Sequence, residues 1–162
     1  MISFLGLGSN EEDRFYNLNR AIELLSKDEN IQLVAKSSFY ESPPLYNISL
    51  NAFLNGVIKI NTSYDPMVLL NRVKNIEMSM GRKYTKERYS NRPIDIDILC
   101  CGSIVIENSE LVVPHPHIKE RKFVLKPWSD IDSNYIIANE NRKIKELLEL
   151  TSDSSRLNKI CT

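Results

Sequence analysis

The segment Ile94-Asp95-Ile96-Asp97-Ile98-Leu99 limits the fold of this chain more than any other. Two kinds of side chain alternate through it, and on a strand alternate residues point to opposite faces. Asp95 and Asp97 therefore share one face, while Ile94, Ile96 and Ile98 share the other. The apolar flank predicts a central strand buried on one side. Two like charges on one strand face stand roughly 6–7 Å apart and repel unless something positive lies near them. Divalent metal ions that bridge the carboxylates to phosphate oxygens would serve. Arg92, three residues before Asp95, would serve as well, so a metal-free ion pair stands beside the metal reading, as does a solvated face of an edge strand.

Just upstream, residues 81–92 form a basic, glycine-poor loop carrying Arg82, Lys83, Lys86, Arg88 and Arg92. It lacks G-x-x-x-x-G-K-[ST], so any phosphate would be gripped by side-chain forks rather than by a P-loop backbone. On composition alone, such a loop reads better as a mobile surface segment with solvated charges. Pro114-His115-Pro116-His117 has no cysteine nearby and is a poor zinc site, and His115 reads better as a donor to phosphate. Arg121 and Phe123 follow and can place a cation and an aromatic face at the same mouth, although a phenylalanine is usually core. Gly6-x-Gly8 lacks the third glycine of a dinucleotide fingerprint and reads as part of a turn.

Elements can be placed around these motifs. A strand over 2–7 is followed by a helix from about Asp13, where Leu18, Ala21, Ile22 and Leu25 recur at helical spacing. A second strand spans 31–40, rich in β-branched and aromatic residues. Pro43 and Pro44 exclude regular structure in the connection that follows. A third strand covers 53–61, with Phe53, Asn55, Val57 and Lys59 on one face. Asp65-Pro66 supplies an N-cap and a first helical residue, and Leu69, Val73, Ile76 and Met80 make the apolar stripe beyond it. With the aspartate strand, the order is strand–helix–strand–strand–helix–strand. It predicts an α+β fold with a ferredoxin-like βαββαβ core, an antiparallel sheet with helices packed on one face. Additions follow: a hairpin around Gly102-Ser103, a short helix near 118–127, a helix near 143–150, and a polar tail expected to fray.

With 162 residues and no repeats or linkers, the chain reads as a single domain, 1–162. Its 21 basic and 21 acidic residues cancel, which gives no support for a nucleic-acid partner. No apolar run approaches the ~20 residues of a membrane span. Three cysteines without a C-x-x-C pair, and no basic stretch before the first apolar one, point to a reduced cytoplasmic setting.

Taken together these pieces resemble the 6-hydroxymethyl-7,8-dihydropterin pyrophosphokinase family of folate biosynthesis. The resemblance rests on Leu7-Gly8-Ser9-Asn10, Ser38-Phe39-Tyr40-Glu41-Ser42-Pro43-Pro44-Leu45, Phe53-Leu54-Asn55, Ile76-Glu77, Gly81-Arg82 and Arg92-x-x-Asp95-Ile96-Asp97-Ile98. Val113-Pro114-His115-Pro116-His117 and Glu120-Arg121-x-Phe123-Val124-Leu125-x-Pro127 complete it, almost from end to end of the chain. It implies pyrophosphate transfer from ATP to the hydroxymethyl group of the pterin, releasing AMP. It implies two Mg2+ ions on Asp95 and Asp97, with Arg82 and Arg92 counted beside them as catalytic residues. ATP would be held by Glu77, Arg82, Arg92, Ile98, His115 and Arg121. The pterin would lie between Phe53 and Phe123, read by Asn55 and by groups from Ser42, Pro43, Pro44 and Leu45. The hydroxyl proton would go to Asp97, Asp95 or water. A monomer is expected, and fusion to other folate enzymes is compatible with the family.

The chain departs from the family at Tyr46, Tyr84, Pro93 and at Tyr89-Ser90-Asn91, where Trp-Gly-Pro is common. A ferredoxin-like RNA-binding or regulatory module would explain the fold without the carboxylates. A different two-metal phosphoryl enzyme would leave Phe53, Asn55 and Phe123 without a purpose.

Overall fold

The computed structural model describes residues 1–45, 49–83 and 90–160. Lys86, Arg88, Tyr46, Tyr84, Tyr89 and Cys161 lie outside the described residues.

The elements run β1 (Ile2–Ser9), α1 (Arg14–Ser26), β2 (Ile31–Lys36), β3 (Phe39–Ser42), β4 (Phe53–Thr62), α2 (Pro66–Ser79) and β5 (Asp95–Cys101). A small hairpin, β6 (Ile106–Glu107) and β7 (Val112–Val113), follows, then a 3-10 turn (Ile118–Glu120), α3 (Lys122–Asp132), α4 (Ile144–Leu150) and β8 (Asn158–Ile160). The main sheet is antiparallel in the order β5-β1-β4-β3-β8, with β2 also paired to β4. The expected βαββαβ core is present. Its second strand is divided, because β2 and β3 pair different halves of β4 on either side of Ser37 and Ser38. Ser37 Oγ accepts the Val57 amide across that break.

Local chemistry starts both core helices as expected. Asp13 accepts from the Tyr16 amide at the head of α1, and Asp65 accepts from the Met67 and Val68 amides ahead of Pro66. The apolar faces of α1 and α2 meet Leu5, Leu7, Ile58, Ile60, Ile96 and Ile98 to form the main core. Phe4, Val57 and Leu99 point the other way and are covered by α3 and α4 through Val124, Leu125, Trp128, Ile144 and Leu147. The core helices thus share one face, and the added helices cover part of the opposite face. The rest of that face is left open, and a cleft forms there.

Three expectations are corrected. β5 is an edge strand, not a central one. Its apolar side chains are buried because α2 packs on them, and its outer backbone is closed by other groups: Glu77 accepts the Ile96 amide at 2.6 Å, and Leu99 accepts the His115 amide at 2.8 Å. Gly6 and Gly8 do not form a turn; β1 continues through them to Ser9 because β4 and β5 pair it from both sides. The polar tail does not simply fray, since β8 adds to the free edge of β3. Among the described residues no helix is long and apolar enough to cross a membrane.

Candidate active site

The floor of the cleft is set by register. Asp95 lies opposite Gly8, and Gly8 lies opposite Asn55 on its other side. In the next row on that face, Asp97 lies opposite Gly6. A glycine between the carboxylate strand and the amide strand leaves a gap where any other residue would project. A β-carbon on Gly8 would stand 3.5 Å from Asn55 Oδ1, 3.8 Å from Phe53 and 3.9 Å from Asp95. The resulting cavity, about 300 Å³, is lined by Ser42, Pro43, Pro44, Leu45, Phe53, Asn55, Arg82, Arg92, Asp95, Asp97, His115, Arg121 and Phe123. Every expected site residue is there except two. The Ile98 side chain is in the core beneath the sheet, and Glu77 is fully buried behind Arg82.

Glu77 and Arg82 form one device. α2 ends with Gly81 at φ +90°, the Gly81 amide donating to Met78 and the Arg82 amide to Glu77. These are the two bonds of a Schellman ending, which glycine permits because it carries no β-carbon. The turn brings the Arg82 guanidinium back onto Glu77 Oε1 at 2.6 Å and onto Asp95. Lys74 Nζ holds the other Glu77 oxygen at 2.9 Å. Glu77 therefore ties α2, β5, Lys74 and Arg82 together.

The carboxylates differ in surroundings. Asp95 is gripped by Arg82 and by Arg92 Nη2, the latter at 2.9 Å. Burial raises its pKa, but the Arg92 and Arg82 charges outweigh burial and hold it below the usual aspartate range. Asp97 faces the cleft with 38% of its side chain exposed, and Arg121 Nη1 is 3.6 Å away. Desolvation of the carboxylate by the cleft walls, and then the neighbouring Asp95 charge, push its pKa up to about 6. The arginines thus answer Asp95 and leave negative charge under-compensated at Asp97. His115 Nδ1 accepts the His117 amide at 3.2 Å, which places the proton of the neutral ring on Nε2. Burial, with help from Arg121 and His117, lowers its pKa to about 4, so it is a neutral donor at pH 7.

At the other end, Asn55 Nδ2 donates to Ser42 Oγ at 2.9 Å and to the Tyr40 carbonyl at 3.3 Å. The amide is buried with its orientation set. The two aromatic walls each carry a cation: the Arg92 guanidinium is 5.0 Å from the Phe53 ring centre, and that of Arg121 is 5.9 Å from Phe123. Sequence reasoning missed Lys74, Leu50, Val124 and the glycines of the floor, all of which line the cavity. The Lys74/Glu77 pair at i, i+3 on one helix face was the readable signal.

Comparison with known proteins shows the family. A family model described as 7,8-dihydro-6-hydroxymethylpterin-pyrophosphokinase (HPPK) matches residues 4–133. The chain belongs to the HPPK family. A Haemophilus influenzae protein named 2-amino-4-hydroxy-6-hydroxymethyldihydropteridine pyrophosphokinase is 34% identical over 93% of this chain and 93% of its own length. The Lactococcus lactis bifunctional protein FolKE is 39% identical over 82% of this chain, which spans only 38% of that protein. Among solved structures, a Plasmodium falciparum HPPK-DHPS triple mutant with STZ-DHP matches with a TM-score of 0.72 at 17% identity, over 91% of this chain and 42% of that one. That likeness carries the HPPK fold.

Proposed function

We propose that this HPPK-family chain, one domain over residues 1–162, transfers pyrophosphate from ATP to the hydroxymethyl group of 6-hydroxymethyl-7,8-dihydropterin. The observation that carries the reading is a single cleft with two carboxylates and three arginines at one end and an amide between aromatic walls at the other. The first part suits a polyphosphate and the second a flat, polar heteroaromatic ring. In the balanced reaction the hydroxymethyl oxygen attacks the β-phosphorus and its proton passes to Asp97, Asp95 or water, while the bond from that phosphorus to the bridging α-phosphate oxygen breaks and AMP departs with the bonding pair on that oxygen.

Magnesium suits the donor set. Asp95 and Asp97 offer hard oxygen ligands on one strand face, and Asp97 is exposed to the cleft and under-compensated. No third His, Cys, Asp or Glu joins a ligand cluster among the described residues, which agrees with an ion completing its shell from phosphate oxygens and water. When bound, the metal would neutralise triphosphate charge and acidify the attacking hydroxyl. We read the number of ions as two. The protein groups do the remainder. Arg82, Arg92 and Arg121 donate to phosphate oxygens, His115 adds an Nε2–H without adding charge, and Phe53 and Phe123 orient the ring for attack. Ile98 would contribute through its backbone, and Glu77 by holding Arg82. The proposed partners are ATP and the pterin, with no nucleic acid or membrane, the proposed state is a monomer, and a reducing cytoplasmic setting fits the buried free thiols of Cys100 and Cys101.

Incubation with ATP, magnesium and the hydroxymethyl-dihydropterin, followed by nucleotide analysis, tests the proposal. AMP is the expected product. ADP would mean ordinary phosphoryl transfer, and no turnover would return the chain to a binding role.

A further inference from the structure

Two chain segments border the cleft: residues 49–52, which lead into β4, and residues 90–94, which lead into β5. Asn10, at the end of β1, lies between them and is 1% exposed. Its amide is used completely. Nδ2 donates to Asn91 Oδ1 at 2.7 Å and to the Asn51 carbonyl at 3.4 Å, and Oδ1 accepts the Arg92 amide at 2.8 Å. Asn51 closes the ring by donating through Nδ2 to the Asn10 carbonyl at 3.2 Å and through its backbone amide to Asn91 Oδ1 at 3.4 Å. The Asn10 amide also donates to the Arg92 carbonyl at 3.2 Å. Both backbone groups of Arg92 are therefore held.

The distal half of Arg92 is held by different partners: Asp95, the Ser90 carbonyl at 3.2 Å and the face of Phe53. Phe53 stands immediately after the 49–52 segment, so each end of Arg92 is linked to that segment's surroundings. One is a fixed backbone link through asparagines. The other is an exchangeable link through a cation and a ring.

We infer that Asn91, acting with Asn10 and Asn51, is a positioning residue that locks the Arg92 backbone to the segment entering β4, so that occupancy of the Phe53 wall is felt by Arg92 as a side-chain movement alone. Asn91 Oδ1 receives two of the bonds that join the segments, one from Asn10 Nδ2 and one from the Asn51 backbone amide. A flat ring stacked on Phe53 takes the place of the guanidinium. With its backbone fixed, Arg92 then turns about its own side-chain bonds and leaves Asp95 Oδ2 free. The consequence for phosphate and metal rests on the proposed function; the lock itself does not.

The experiment separates the two. Amide hydrogen exchange on the ligand-free protein compares wild type with Asn91→Ala and Asn91→Asp; the aspartate keeps the accepting oxygen. Each lost bond is expected to lower protection roughly tenfold. Asn91→Ala should lower protection of the Asn51 amide directly and of the Arg92 amide through Asn10, while Asn91→Asp restores both and the core amides of β1 and β4 stay unchanged. Unchanged protection at Arg92 in Asn91→Ala overturns the lock whatever the protein binds. In steady-state assays the lock predicts that Asn91→Ala lowers kcat by about tenfold with a smaller change in the KM for ATP, with rescue by aspartate. A wild type without turnover overturns the proposed function and leaves the exchange result to judge the lock.

Discussion

At residue scale, the contrast between Asp95 and Asp97 organises the site. Asp95 is already neutralised by Arg82 and Arg92, whereas among the described residues the ion-pair partner of Asp97 is Arg121 alone, at 3.6 Å. Replacing Asp97 with alanine is therefore expected to cut turnover at least about a thousandfold while leaving the melting temperature within a few degrees, because several kcal/mol of charge stabilisation is lost from the reaction and little from the fold. Activity assays beside thermal melts check this, and near-wild-type turnover would remove the metal assignment. Asn55→Ala is expected to weaken pterin binding by about 1–3 kcal/mol and ATP binding by much less, since its amide bonds to Ser42 and Tyr40 at the end of the cleft proposed for the pterin. Calorimetry with each ligand separately decides it; equal losses count against the pocket. By proton NMR His115 should titrate near 4. Because the folded value is depressed below the ordinary 6.5, the stability from neutral His115 is full above pH 6.5 and declines as pH falls toward 4. All these side chains could be nominated from the sequence. Their partners could not, because a salt bridge such as Arg121–Asp97 joins residues 24 positions apart in the chain.

At the scale of elements, the end of α2 matters most. Gly81 lies at φ +90° and starts the turn that returns Arg82 to Glu77 and Asp95. Gly81→Ala is expected to cost about 1 kcal/mol of stability, seen as a lower melting temperature, and to lower turnover because Arg82 loses its approach. Glu77→Gln leaves Lys74 and Arg82 facing a neutral amide at a fully buried position, and is expected to cost about 2–4 kcal/mol in chemical denaturation. Apolar spacing placed α1, β4 and α2 closely, and the Asp13 and Asp65 caps were legible as short-range chemistry. β5 was recognisable as a strand but not as an edge. The sequence pattern reports that one face is buried; it cannot report whether a second strand or a helix side chain satisfies the backbone on the far side. Gly6 and Gly8 were read as a turn for the same reason, since only pairing with β4 and β5 shows that they are extended.

For the molecule as a whole, the C-terminal tail reaches back to the site. Asp153 Oδ2 accepts the Lys122 amide at 2.9 Å, capping α3 from 31 residues away where Arg121 supplies no side-chain cap. Lys122 Nζ meanwhile reaches the Ser155 carbonyl. The first turn of α3 carries Phe123 and follows Arg121, so the tail helps to fix one aromatic wall and one cation. Burial raises the Asp153 pKa, but hydrogen bonds from Ser155 and Lys122 outweigh it and bring it below the ordinary 3.8. Its contribution is therefore present above pH 3.8 and is lost as pH falls through the lower folded value. Asp153→Asn is expected to cost about 1 kcal/mol at pH 7, with the difference from wild type closing in strong acid, measured by denaturation across pH. A polar tail without periodicity gives no local sign of such a role.

The sequence alone determined the alternation that puts two carboxylates on one strand face, the helices that bury the other face, and the family to which these pieces belong. Those are short-range properties of side-chain spacing and chemistry. The tertiary structure decided where the carboxylate strand sits, which arginine faces which aspartate, and that glycines would form the floor between Asp95 and Asn55. These depend on register and on contacts across tens of residues, where no local preference operates and only the packing of the whole sheet selects the partner.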